Sequence, residues 1–169
     1  MDGNTVAHTY LLERDQWLPR PVDEVFTFFS DARNLESITP GWLGFRIVTP
    51  APIAMRAGAE IDYELSWRWF RLRWKTVIAR WDPPGSFVDV QARGPYRLWE
   101  HTHTFRGENG GTRLSDSVRY ELPLGMPGRL AHWIEVRRDL ERIFDYRKAA
   151  IGRVFGEPVA PALRRRASS

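Results

Sequence analysis

The sequence predicts an α+β fold in which a strongly curved antiparallel sheet closes around one long C-terminal helix. From Gly58 to Leu122, apolar and polar residues alternate with a period of two, which is typical of antiparallel strands with one covered face. From Pro127 to about Phe155, the apolar residues instead follow helical spacing. One helix covers so large a sheet only if the sheet curves around it, and we expect this arrangement to leave a cavity between the two.

The remaining elements follow in chain order. Residues 8–18 predict the first strand, and residues 19–31 predict a short helix with Pro21 in its first turn and Asp23 and Glu24 at the positive end of its dipole. A second short helix is expected within 32–39, ending before Pro40. Further strands are expected at 41–50, 59–69, 71–81, 86–92, 96–106 and 112–122, with a turn at 82–85.

The composition of the chain limits the kinds of function that it can have. The 169 residues suggest one domain, which we place at 6–156, followed by a disordered basic tail at 157–169. The net charge of +4 falls close to neutral without the tail's Arg164–Arg166, so we expect no nucleic-acid partner. The absence of cysteine excludes disulfides and thiolate metal sites, and the absence of a leader or long apolar run predicts a cytoplasmic protein without an integral membrane segment.

Asn109-Gly110 predicts a two-residue hairpin turn that sets the register of the last two strands. His103 then lies opposite Asp116, and His101 lies opposite Val118. On the same face, Trp99 pairs with Tyr120 and Phe105 pairs with Leu114, while the other face is polar. Two histidines and a carboxylate are thus expected to point inward among aromatic residues.

The inward His103–Asp116 pair has three interpretations. It is a polar pair that fixes the strand register, or a group that orients a ligand or exchanges protons with it, or part of a metal site with His101. So short a motif as His-x-His is weak evidence for a metal, and we expect neither a metal nor a cofactor. The acid–base interpretation makes His103 and Asp116 the candidate catalytic residues.

The preceding hairpin leaves one question open. A two-residue turn at Gly94-Pro95 places Val88 and Val90 beside Trp99 and His101, whereas a three-residue turn places Asp89 and Gln91 on that face. The second alternative would make the cavity markedly polar. The sequence does not choose between the two turns.

Further candidate ligand contacts come from other elements. Arg137 and Arg147 fall within the apolar stripe of the last helix, where they either extend along it toward water or reach an acidic ligand or Asp116. The sequence carries no phosphate-binding glycine loop, dinucleotide fingerprint or nucleophile elbow. The expected ligand-binding set is Trp99, His101, His103, Phe105, Asp116, Tyr120, Tyr63, Trp67, Trp74, Trp133 and Arg137.

The order of elements, together with the segments "PVDEVFTFFSDARNLESITPGWLGFRI", "WDPPGSFVDVQARGPYRLWEHTHTF", "GGTRLSDSVRYELP" and "RRDLERIFDYR", resembles the START-like or Bet v 1-like (SRPBCC) superfamily. Within it, the chain is similar to bacterial ligand-binding proteins of the polyketide cyclase/dehydrase type over about residues 6–155. The resemblance implies a helix-grip fold, with a seven-stranded curved antiparallel sheet around the C-terminal helix and two short helices after the first strand. It also implies a cavity for lipids, quinones or polyketides.

Three functions are therefore considered. The first is binding of a small apolar or amphipathic molecule without catalysis. The second is a cyclase or dehydratase that uses His103, oriented by Asp116, for acid–base chemistry. The third is a protein-interaction module whose cavity holds no ligand.

Overall fold

The computed structural model describes residues 8–67, 69–123 and 129–156, and of residues 129–134 it describes only the helical backbone. The seven strands form one antiparallel sheet in the order β1-β7-β6-β5-β4-β3-β2, and α3 is the long C-terminal helix. The elements are β1 (Thr9–Leu18), α1 (Val22–Phe29), α2 (Asn34–Ser37), β2 (Arg46–Ile47), β3 (Glu60–Trp67), β4 (Phe70–Asp82), β5 (Ser86–Arg93), β6 (Leu98–Glu108), β7 (Gly111–Glu121) and α3 (Arg129–Phe155).

The two short helices follow β1 as expected. Pro21 precedes α1, with Asp23 and Glu24 in the first turn, and the helix buries Val25, Phe26 and Phe29. The strand expected at 41–50 is largely wrong. Residues Gly41–Leu43 form a 3-10 turn, and Gly44 has a left-handed backbone (φ 51°) that ends it, so only Arg46–Ile47 pairs with the sheet.

The predicted register of the β6–β7 hairpin is confirmed. Asn109 and Gly110 both have positive φ angles, 52° and 75°, as a type I′ turn requires. His103 pairs with Asp116 and Trp99 pairs with Tyr120 across the two strands. The inner face of this hairpin is therefore the one that the sequence indicated.

The β5–β6 register matches the three-residue alternative. Asp89 lies opposite His101 and Phe87 lies opposite His103, so Asp89 shares the inner face with both histidines. The Gln91 side chain binds the backbone of Tyr96 in the connection, donating from Nε2 to the carbonyl oxygen at 2.7 Å. The inner wall is therefore polar at Asp89, while Gln91 serves the turn itself.

The sheet curves around α3, which buries Val136, Leu140, Phe144, Ile151 and Phe155. Toward the end of α3, α1 packs on the sheet and closes a dense core around Phe26, Phe105, Leu114 and Ile151. The expected helix-grip arrangement is thus confirmed.

Three parts of the sequence interpretation lie outside the described residues: the first residues of the domain (6–7), the basic tail (157–169) and the side chain of Trp133. Within the described residues, none of the helices combines the length and the apolar character needed to cross a bilayer.

Candidate functional site

A cavity of about 530 Å³ lies between the inner face of the sheet and α3. Its walls are mainly aromatic and aliphatic, with a short polar stretch on β5 and β6. Six of the expected ligand-binding residues line it: Tyr63, Trp67, Trp74, Trp99, His101 and His103. Exposed members of the lining, Phe70, Arg71 and Pro123, mark the end where the cavity meets solvent.

The polar stretch is a compact cluster of two histidines and two carboxylates. His101 Nε2 lies 2.9 Å from Asp116 Oδ1, and His103 Nε2 lies 3.0 Å from Asp89 Oδ2. A carboxylate only accepts hydrogen bonds, so each of these ring nitrogens carries the hydrogen. The two imidazole rings lie against each other, with centroids 3.7 Å apart, and Phe87 stacks on His103 at 4.1 Å. Aromatic contacts therefore cover both faces of His103, and a hydrogen bond to a carboxylate fixes one edge of each imidazole.

His103 is held between both carboxylates. Its Nδ1 lies 2.9 Å from Asp116 Oδ1, but the direction is unsuitable for a hydrogen bond, and no other described residue offers a partner. Burial alone would lower the pKa of His103, but Asp116 and Asp89 outweigh it and the pKa is raised. Of the two rings, His103 is therefore the one whose charged form the cluster favours.

The pKa of His101 shifts in the opposite direction. Burial and the neighbouring charged His103 lower its pKa, against the opposing effect of Asp116 and Asp89. Burial would raise the pKa of Asp116 and of Asp89, but the histidines hold both below the ordinary value. The cluster thus combines two carboxylates with two imidazoles whose pKa values are shifted in opposite directions.

Two groups from other elements complete the polar surroundings. Arg147 of α3 lines the cavity, and its charge helps to lower the pKa of Asp89. Tyr63 of β3 is buried, and its pKa is raised by that burial and then by Asp89, so its phenol stays protonated. Nearer the N-terminal end of α3, Trp67 Nε1 donates a hydrogen bond to Asp139 Oδ2 at 2.7 Å, which links β3 to α3.

Four of the expected residues do not line the cavity. Phe105 packs against Phe26 and Phe29 of α1, with ring centroids 5.3 and 5.2 Å away. Tyr120 packs against Tyr10 on β1, at 5.4 Å. The alternation of a strand determines which face a residue occupies, but not which neighbouring element covers that position along the strand.

Asp116 and Arg137 are the other two. Asp116 shares the inner face but lies behind the histidines, where it holds ring nitrogens away from the cavity. Arg137 is exposed and ion-paired with Glu141 on its own helix, at 2.9 Å. Among the residues that the expected set lacked, Asp89 depended on the turn length that was left open. Arg147 had two interpretations, extension toward water along the stripe edge or contact with an acidic ligand or Asp116, and the structure places it on the cavity wall.

The cluster includes three possible metal ligands, since donor atoms of Asp89, His101 and His103 all lie within 4.8 Å of one another. Each ring directs one nitrogen toward Asp116 Oδ1, at 2.9 Å from both rings, and the other toward Asp89 Oδ2, at 3.7 Å from His101 and 3.0 Å from His103. These nitrogens therefore already face carboxylate oxygens of the cluster. His103 and Asp89 also bind each other directly. As it stands, the arrangement favours a hydrogen-bonded cluster that can orient a polar group or exchange a proton with it.

Comparisons with known proteins agree with this architecture. A solved protein from Arthrobacter aurescens aligns with a TM-score of 0.66 at 13% identity, covering 94% of this chain and 93% of that one. Ara h 8.0201 aligns with a TM-score of 0.61 at 14% identity, covering 89% of this chain and all of that one. Ginseng major latex-like protein 151 from Panax ginseng aligns with a TM-score of 0.53 at 16% identity, covering 79% and 96%. At these identities, the likeness shows the fold alone.

Among curated proteins, none matches the chain. The family model described as "Polyketide cyclase / dehydrase and lipid transport" matches residues 18–143, which is well over half of the sequence. The match runs from the end of β1 to the middle of α3 and includes the whole polar cluster. The chain therefore belongs to the polyketide cyclase / dehydrase and lipid transport family, with the Bet v 1-like fold.

Proposed function

We propose that this chain binds a small, largely apolar molecule carrying one polar group, such as a lipid, a quinone or a polyketide-like compound. The observation that carries the proposal is the cavity of about 530 Å³, which is apolar over most of its wall and polar at one cluster. Its volume is in the range of small-molecule sites, about 300–1,000 Å³. The polar group of the ligand would meet His101, His103 and Asp89, with Asp116 holding the histidines from behind.

The aromatic wall supports an apolar partner. Trp74, Tyr96 and Trp99 pack edge to face or tilted against one another, with Trp74 5.2 Å from Trp99 and 5.6 Å from Tyr96. These rings are only partly buried and border the cavity. Covering them with a ligand would remove further apolar surface from water, which stabilises a complex by about 25 cal/mol per Å².

Native mass spectrometry of freshly purified protein tests the proposal, followed by extraction and identification of any bound mass. A matched pair of α3 variants locates the site. Ile143→Trp would fill the cavity, and Val154→Trp adds the same bulk to an exposed position. We expect a bound molecule in the wild-type protein and in Val154→Trp, and none in Ile143→Trp. A protein that is empty and does not bind apolar or quinone-like probes would instead favour an interaction module.

A second candidate function is acid–base catalysis of the cyclase or dehydratase type. The observation that favours it is the position of His103, an imidazole held between Asp89 and Asp116 at the cavity wall. Such a group can donate a proton and take it back. With the extracted ligand class as substrate, we expect His103→Ala and Asp116→Asn to lose turnover while folding and ligand binding are retained. Unaltered turnover would rule out the acid–base role.

Other predictions from the sequence stay predictions. These are the cytoplasmic location, the absence of a nucleic-acid partner and the disorder of the tail.

A further inference from the structure

Arg147 is placed unusually for an arginine on an amphipathic helix. Its side chain is partly buried and lines the cavity, with the guanidinium carbon 5.7 Å from the Phe144 ring centre. The guanidinium makes no hydrogen bond and no ion pair with any residue that the structure describes. Its charge still reaches Asp89 and Tyr63 on the opposite wall.

The helix itself offers Arg147 no partner. The positions three and four residues away are Phe144, Ile151, Ile143 and Ala150, all of them apolar. Arg137 makes a useful contrast, because its side chain is 56% exposed and pairs with Glu141 one turn along the same helix. Arg137 thus matches an arginine at the polar edge of a helix, and Arg147 does not.

The carboxylates across the cavity are already engaged. Asp89 accepts from His103, and Asp116 accepts from His101. A guanidinium presents five N–H donors in a planar fork and has no acceptor of its own. Donors left unpartnered beside an apolar cavity are unfavourable, and an oxygen acceptor on the ligand would satisfy them.

We infer that Arg147 anchors an oxygen acceptor of the ligand, a carboxylate or a carbonyl, in the space between α3 and the cluster of Asp89, His101 and His103. The inference rests on the proposed ligand-binding function and narrows it to molecules with such an oxygen at one end. The rest of the ligand would extend along the aromatic wall of Trp74 and Trp99. The ligand is thereby oriented with its oxygen toward the histidines.

Three probes of equal chain length test the inference: dodecanoic acid, its methyl ester and dodecane. Binding is measured by native mass spectrometry and by displacement of a fluorescent fatty acid. The wild-type protein should bind the acid and the ester more tightly than the hydrocarbon. Arg147→Met should weaken binding of the acid by about 10- to 100-fold, because a hydrogen-bonded charged pair contributes about 1.5–3 kcal/mol. It should weaken the ester less and leave dodecane unchanged.

Arg137→Met is the matched control, and all three affinities should stay at the wild-type values. Arg147→Lys keeps the charge but loses the fork, so its affinity for the acid should lie between those of the wild type and Arg147→Met. If Arg147→Met does not fold, the inference is tested by the affinity of Arg147→Lys for the acid and by the preference of the wild type among the three probes. Equal binding of all three probes by the wild type, or an unaltered acid preference in both variants, would overturn the inference alone. A wild type that binds none of the probes would overturn the proposed function as well.

Discussion

The two halves of the space beneath α3 differ in how they are filled. Near the C-terminal end of the helix, α1 lies over the sheet, and rings from three elements interlock, as in the contacts of Phe105 with Phe26 and Phe29. In the other half, Trp74 and Trp99 of the sheet face α3 across an open cavity, and α1 and α2 reach only its edge, with residues such as Phe29 and Leu35. The His101–His103 pair lies at the boundary, with Phe87 on one side and Phe144 on the other.

The difference shows that an aromatic inner face is not by itself a packed core. The same alternating strands supply both halves, and one half becomes solid where α1 inserts Phe26 between the sheet rings Phe87 and Phe105. Stability should therefore reside in the packed half and ligand affinity in the open half. Each prediction below tests that division.

The largest effect on stability is expected in the packed half. Phe105→Ala should lower the free energy of unfolding by about 3–5 kcal/mol, because the surrounding rings cannot collapse into the space that the side chain leaves. Denaturant titration followed by tryptophan fluorescence measures it. A loss of less than about 1 kcal/mol would contradict a rigid packed half.

A somewhat smaller effect is expected at the boundary. Asp116→Asn keeps the shape of the side chain but removes the charge that accepts from His101 and faces His103. We expect a loss of about 1.5–3 kcal/mol in the free energy of unfolding, the usual contribution of hydrogen bonds to charged groups. Asp15→Asn on the outer side of β1 is the control and should change stability little, since its contacts are exposed. Equal losses of unfolding free energy in the two variants would mean that the buried Asp116 carboxylate contributes no more to stability than an exposed one.

The two histidines should give pH dependences of opposite sign. The folded pKa of His103 is raised, so its contribution is complete below the unfolded value of 6.5 and is lost as the pH rises through the folded pKa. The folded pKa of His101 is lowered, so below pH 6.5 the unfolded chain takes up a proton that the folded chain refuses, and stability falls.

Denaturant unfolding of the wild type, His103→Gln and His101→Gln between about pH 5 and 9 measures these pH dependences. The free energy of unfolding changes by about 1.4 kcal/mol for each unit by which the folded and unfolded pKa values differ. The advantage of the wild type over His103→Gln should shrink as the pH rises above 6.5. Its advantage over His101→Gln should grow as the pH rises toward 6.5. If both advantages changed with pH in the same direction, one of the two histidine pKa shifts would have the wrong direction.

The smallest effect on stability is expected in the open half. Leu72 lines the cavity and is already partly exposed, so Leu72→Ala should lower the free energy of unfolding by less than about 1 kcal/mol. The same variant should weaken binding of an apolar probe, since the removed carbons face it. A loss of stability as large as that of Phe105→Ala would show that the cavity wall is packed core after all.

The sequence predicts the architecture and three of the four residues of the polar cluster. Asn109-Gly110 fixes the β6–β7 register, and with it the inward direction of His101, His103 and Asp116. Asp89 is not predicted, because its direction depends on a turn length that Gly94-Pro95 leaves ambiguous. The cavity-facing position of Arg147 depends on how the helix is rotated against the sheet, which helical spacing alone does not specify to within one residue.

The pairing of β1 has a consequence for how the chain is made. In the sheet formed by the described residues, β1 lies at one edge and pairs with β7, with Thr9 opposite Glu121 and Leu18 opposite Thr112. Of the seven strands, β1 is therefore synthesised first and its partner last. Until β7 has been made, the growing chain therefore presents β1 unpaired with its apolar positions exposed, and such long-range pairing also slows folding. Protection of that segment during translation, for example by a chaperone, would then favour a high yield of folded protein.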